Sequence, residues 1–200
     1  MNLFTKLGFF AILLSSTVDS TFAFGPSQPL VLHSGPSSTQ RRLGIASLCM
    51  GMKINVRIVG RKAGSEKWLE AGVAMYETRL RPSSLEVETT WHKDNDALVK
   101  GVETDQSKGH MVVLLDPLGK TRTSEQLSDD LYQWLDQGGS RLSLVIGGAE
   151  GLPSELKETT PSPQLMSLSA LTFTHQFARL MLIEQIYRAS EIRKGSGYHK

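Results

Sequence analysis

The chain has 200 residues, of which 40% are apolar and 21% charged, and a formal net charge of +2. These proportions exclude a chain that is disordered throughout or that spans a membrane many times. The charge lies wholly in residues 1–51, where Lys6, Arg41 and Arg42 stand against Asp19, and Cys49 is the only cysteine. The remaining body is electrically balanced and free of thiols. That excludes a disulfide scaffold, a Cys-rich zinc site and a Cys nucleophile, and confines any nucleic-acid contact to a local patch.

Residues 1–23 read as a secretory signal peptide: Lys6, an apolar run Leu7–Leu14, and small residues at Thr21 and Ala23 before a cut. The run is too short to span a bilayer, so no stable membrane association is expected. Residues 24–51 are rich in Gly, Pro and Ser, carry Arg41 and Arg42 and hold no acid, which is transit-peptide composition. A signal peptide followed at Phe24 by such a segment resembles the two-part leaders of algae with secondary red-type plastids. Plastid import is therefore expected, with secretion as the alternative.

From Met52 the pattern alternates between strand and helix. Lys53–Val59 alternates polar and apolar residues as a strand; Ser65–Leu80 has helical spacing with Ser65 as candidate N-cap. Leu85–Trp91 alternates again, and Asp94–Gln106 reads as a polar helix. Met111–Asp116 is a continuous apolar run suited to a buried parallel strand, expected to stop at Pro117. Thr123–Gln137 opens with a Thr-x-x-Gln capping box and closes on Gly138-Gly139. Leu142–Ile146 is another buried strand, then a short turn or helix, a fifth strand around Leu165–Leu171, and a long helix His175–Arg193. The alternation predicts an α/β domain with a mostly parallel sheet.

In such sheets ligands bind beyond the carboxyl ends of the strands, which directs attention to the segments after 115, 146 and 171. Gly147-Gly148 allows close backbone approach to a ligand, although the dipeptide alone reads more readily as a plain tight turn. Its spacing matches neither the dinucleotide-binding nor the Walker pattern. The run Leu168–Thr174 offers backbone groups suited to an adenine edge, and a plain loop explains it nearly as well.

The last helix pairs His175 with Arg179 on one face and Glu184 with Arg188 on roughly the opposite one; the second pair also reads as an ordinary ion pair on a solvated face. Phe177, Leu180, Met181, Leu182, Ile183, Ile186 and Tyr187 make the helix apolar nearly all round, which points to a dimer contact as well as a core contact. The end of the chain adds a basic excess, with Tyr198 and His199 interleaved, a modest footprint for RNA.

Read in order, Met52-Lys53-Ile54, LLDPLGK, VIGGAEGL, SLSALTFTHQFARLMLIEQIYRA and the terminal YHK resemble the ribosomal RNA large subunit methyltransferase H family of the SPOUT superfamily. The resemblance covers Met52–Lys200. It implies a trefoil knot in the C-terminal part of the sheet and a homodimer with active sites at the subunit interface. It also implies S-adenosylmethionine as methyl donor and N3 of a pseudouridine in large-subunit rRNA, on the assembled ribosome, as acceptor. By matching motif positions, Leu115, Gly147, Leu168, Ser169, Ala170, Leu171, Thr172 and Phe173 would hold the donor. His175, Arg179, Tyr198 and His199 would face the substrate, with Glu184, Arg188, Tyr198 and His199 as catalytic candidates. The chain departs from the family at Asp116-Pro117, beside Leu115. Two other readings stay open: a non-catalytic RNA- or ribosome-binding module of this fold, and a methyltransferase acting on another RNA.

Overall fold

A computed structural model describes residues 51–62, 66–159 and 162–200. Both leader segments, apart from Gly51, lie outside the described residues, as does Ser65, the expected N-cap.

The elements follow the predicted alternation: β1 (Met52–Val59), α1 (Lys67–Leu80), a 3-10 turn (Arg81–Ser83), β2 (Leu85–His92), α2 (Asn95–Ser107), β3 (Met111–Thr121), α3 (Ser124–Gln137), β4 (Arg141–Ile146), α4 (Ser154–Lys157), β5 (Gln164–Ser167) and α5 (His175–Arg193). The five strands form one parallel sheet in the order β2-β1-β4-β3-β5. Because side chains alternate across a strand, Ile54, Val56 and Ile58 of β1 join the core shared with α1, α3 and α5. Arg57 points the other way, beneath α2. A second, smaller core on that face unites Leu98 and Val102 of α2, Leu114 of β3, Val145 of β4 and Leu156 of α4. Helices thus cover both faces, as an all-parallel sheet requires.

The helix starts are chemically marked. Asp94 accepts from Ala97 N–H at the head of α2. Thr123 and Gln126 complete the expected capping box at the head of α3, and Thr174 caps α5. Under α2, Arg57 makes two bonds of 2.7 Å to Asp105, Ser143 donates to the same carboxylate, and His92 Nε2 lies 3.1 Å from the Arg57 guanidinium. A charge pair this deeply buried survives because every charged atom finds a partner.

Two expectations about strands are corrected. β3 does not stop at Pro117. Its pairing with β5 breaks after Leu115 and resumes at Lys120, opposite Met166, so Asp116–Gly119 are extruded from the ladder. Pro117, which has no N–H to donate, sits inside the extrusion, where none is needed. Gly119 permits the return: a Cβ there would lie 2.6 Å from the Met166 backbone N and C. β5 is Gln164–Ser167, ending four residues before Leu171. Beyond it, Ser167 Oγ donates to the Ser169 carbonyl and Leu171 N–H donates to Ser169 Oγ. These local side-chain bonds turn the chain away from the ladder.

α5 is wedged between two helices as well as lying on the sheet. Ser128 of α3 donates to the Ala189 carbonyl at 2.9 Å. On the other flank Arg179 pairs with Glu70 of α1, and Leu180 packs close to Gly72. The near-continuous apolar surface of α5 is therefore accounted for largely within one chain.

Candidate active site

The carboxyl ends of β3, β4 and β5 open into a cavity of about 740 Å³, a volume suited to a nucleoside-sized ligand. Three stretches line it, Leu115–Leu118, Ile146–Leu152 with Lys157, and Ser167–His175 with the exception of Ala170, and Ala178 of α5 completes the wall. Of the residues expected to hold a methyl donor, Leu115, Gly147, Leu168, Ser169, Leu171, Thr172 and Phe173 therefore meet here, and His175 joins them from the head of α5.

The local chemistry explains the shape. After Ile146 the chain doubles back, with Gly151 N–H donating to the Gly148 carbonyl at 3.1 Å. A Cβ on Gly147 would collide with the Gly151 carbonyl group and come within 2.6 Å of Leu152 N. The tight turn and the close approach are thus one structure. Leu168–Thr174 lies outside any helix or strand; apart from the Ser169 carbonyl, the Leu171 N–H and the Thr174 carbonyl, which are bonded locally, its backbone groups are not committed to a ladder and can meet a polar ligand edge. Leu118 and Leu171, 90% and 71% exposed, add apolar surface to the lining. His175 Nε2 lies 3.3 Å from where a Gly60 Cβ would stand, at the end of β1, where φ is +131°.

Asp116 is a lining residue that the motif comparison marks only as a departure, and Lys157 has no sequence signal at all. Asp116 Oδ1 accepts Leu118 N–H at 2.8 Å, and Lys157 Nζ lies 2.6 Å from Asp116 Oδ2. Burial alone would raise the Asp116 carboxyl, but the Lys157 ammonium and the Leu118 N–H outweigh it and hold the group below the usual carboxylate range.

The remaining expected residues form a second cluster on the chain's last segment. Glu184 and Arg188 are 2.6 Å apart, and the pair is capped rather than solvated. Tyr198 donates to Glu184 Oε1 at 3.1 Å, and the Arg188 guanidinium lies 4.9 Å from the Tyr198 ring centroid. Tyr198 also meets Tyr187 edge-on, with centroids 4.9 Å apart. Burial, then hydrogen bonding to Tyr76 and Glu184, pushes the Tyr198 phenol up, so it stays protonated and donates. His199 Nε2 lies 2.8 Å from Glu125 at the head of α3. The Thr123 hydroxyl first, and His199 second, draw the Glu125 carboxyl down to about 2. The last three residues are therefore held against the body through Tyr198 and His199.

Arg179 stands apart from both groups. It is 2% exposed, pairs with Glu70, and lies 4.9 Å from the Trp91 ring centroid. The cavity and the tail cluster are also separate within one chain: Glu184 lies six residues along α5 from Ala178, the lining residue of that helix nearest to it, about 9 Å at 1.5 Å per residue.

Comparison with known proteins identifies the family. A family described as "Predicted SPOUT methyltransferase" matches residues 52–199. The chain is 47% identical over 149 residues to a protein of Protochlamydia amoebophila named ribosomal RNA large subunit methyltransferase H, covering 74% of this chain and 99% of the relative. It is 35% identical over 167 residues to a protein of the same name from Halothermothrix orenii, covering 74% of this chain and 100% of the relative. The parallel sheet, the glycine-walled cavity at its carboxyl edge and these matches agree: this chain is a methyltransferase of the SPOUT family, in the group of the ribosomal RNA large subunit methyltransferases H.

Proposed function

We propose that the protein transfers a methyl group from S-adenosylmethionine to N3 of a pseudouridine in large-subunit ribosomal RNA. In this reading it acts as a homodimer on assembled ribosomes of a plastid. The observation that carries the reading is the cavity at the ends of β3, β4 and β5, lined by seven of the eight positions matched to a methyl-donor site. The two relatives' names supply the RNA class.

The cavity fits the donor. Gly147 leaves no Cβ between backbone and ligand, the Leu168–Phe173 backbone, outside the sheet ladder, suits the polar edge of an adenine, and Leu115, Leu118 and Leu171 supply apolar contact. When bound, S-adenosylmethionine supplies an electrophilic methyl group open to in-line displacement. The chain's own work is to hold the acceptor nitrogen in line and to stabilise it as its proton leaves. Arg188 is the cation placed for this: its side chain is 27% exposed, whereas that of Arg179 is 2% exposed and locked on Glu70. Glu184 and Tyr198 fix the direction in which Arg188 points, and His199, held on Glu125, forms the rest of that wall.

Because the tail cluster and the cavity are apart within one chain, the reading places the tail of one protomer beside the cavity of its partner. An aromatic row supports an unfilled face near the cavity: Trp68 is 61% exposed, and its ring centroid lies 6.4 Å from that of Phe177, which is 5.7 Å from that of Phe173 at the cavity. The trefoil knot belongs to the same reading. Calorimetry with S-adenosylmethionine tests the donor site, and a non-catalytic module of the same fold would bind ribosomal RNA with no donor affinity. A fluorescent fusion carrying residues 1–51 tests the address; secretion of the fusion would overturn plastid import.

A further inference from the structure

The cavity walls come from segments far apart in sequence, and one carboxylate joins two of them. Asp116 opens the loop extruded from β3, and Lys157 closes the stretch that follows β4. Asp116 is 6% exposed and uses both oxygens: one accepts Leu118 N–H at 2.8 Å, the other meets Lys157 Nζ at 2.6 Å. Beside Lys157, Leu156 is 1% exposed in the core that includes Leu114, so the α4 end of this connection is anchored. The other end carries Leu118, 90% exposed at the tip of the extruded loop and part of the cavity lining.

We propose that Asp116 and Lys157 act as a positioning pair, a strap that fixes the extruded Asp116–Gly119 loop to α4 and so sets the Leu118 side of the donor cavity. Neither residue is needed at the reacting atoms. Their effect is on how well the cavity is formed before the donor arrives, which is a term in donor affinity. Charge matters because Asp116 is largely withdrawn from water: without Lys157 its carboxylate must take up a proton or let water in, and either change releases the loop.

The inference rests on the donor reading, and the test separates the two. The full chain and the variants Lys157→Met, Asp116→Asn and Lys157→Arg are titrated calorimetrically with S-adenosylmethionine and S-adenosylhomocysteine. Lys157→Met and Asp116→Asn are expected to bind about tenfold more weakly, a shift of ~1.4 kcal/mol, and Lys157→Arg within about twofold of the unaltered chain, since its cation is kept. In turnover assays KM for the donor rises in the first two variants while kcat at saturating donor holds, a split that simple loss of folded protein does not give. Asp116→Asn keeps the acceptor for Leu118 N–H, so it isolates the charge. Lys157→Met and Asp116→Asn binding like the unaltered chain, or a fall in kcat at constant KM, would overturn the strap alone. Failure of the unaltered chain to bind either ligand would overturn the donor reading itself.

Discussion

Adjacent glycines give the sharpest contrast in the cavity wall. A Cβ at Gly147 would strike the Gly151 carbonyl group and lie 2.6 Å from Leu152 N, all backbone, whereas a Cβ at Gly148 would find Val59 Cγ1 at 3.4 Å, an ordinary contact. Neither glycine has a positive φ, so the difference is one of space and not of backbone strain. No rotamer change relieves a collision with backbone, so Gly147→Ala must open the Gly147–Leu152 turn. Overpacking of this kind costs about 1–3 kcal/mol. Because the turn is itself a wall of the cavity, the cost falls on the bound state, and donor affinity should drop roughly 5- to 150-fold. Gly148→Ala should stay within about twofold. Calorimetry with S-adenosylmethionine, with thermal unfolding as a control for fold, measures both. Equal affinity for the Gly147→Ala and unaltered chains, or an equal loss in Gly148→Ala, would refute the assignment of this turn to the donor wall.

Removing His199 (His199→Ala), or stopping the chain after Gly197, should abolish methylation while donor affinity changes by less than about twofold, because the tail rests on Glu125 and Glu184, lines no part of its own chain's cavity, and in the proposed dimer faces the acceptor side of the partner's. Full turnover in either would remove the tail from the site. Asp105→Ala should destabilise the fold by about 3–5 kcal/mol in urea titrations, since it strands the buried Arg57 guanidinium; a loss under about 1 kcal/mol would contradict the buried pair. Burial first and the Arg57 charge second hold the His92 imidazole below its ordinary value of 6.5. The unfolded chain therefore takes up that proton before the folded one, so this contribution to stability is complete above 6.5 and declines as pH falls through it. The urea midpoint should be lower at about pH 5.5 than at about pH 7.5, and His92→Gln should reduce the difference; a midpoint that rises on acidification would contradict this. Asp105, held low by Arg57 and Ser143 against its burial, adds a loss only at pH values below about 4.

The periodic elements were legible because their physics is local. The capping box at Thr123, the apolar run of β4 and the length of α5 each follow from a few neighbouring residues, and the structure reproduces them within one or two positions. What escaped depends on partners distant in sequence. That β3 resumes after Pro117 is decided by its register against Met166 and by the room at Gly119. Arg179 spaces correctly with His175 on the helix, yet Glu70 and Trp91 lie across an interhelical contact that no local pattern reveals. Lys157, on a helix of four residues, has no periodicity to betray it. An Asp closing the buried apolar run of β3 was the one available hint that a cation must stand nearby. The tail shows the reverse: its Tyr and His were visible, and only the structure shows them resting on Glu184 and Glu125.

The most direct test of the central claim is nucleoside mass mapping of large-subunit ribosomal RNA. Unmodified ribosomes are incubated with the full chain and isotopically methyl-labelled S-adenosylmethionine. Label is expected on N3 of a pseudouridine, dependent on the protein and lost in Gly147→Ala. Label on a different RNA or a different atom, or none despite measurable donor binding, would contradict the claim.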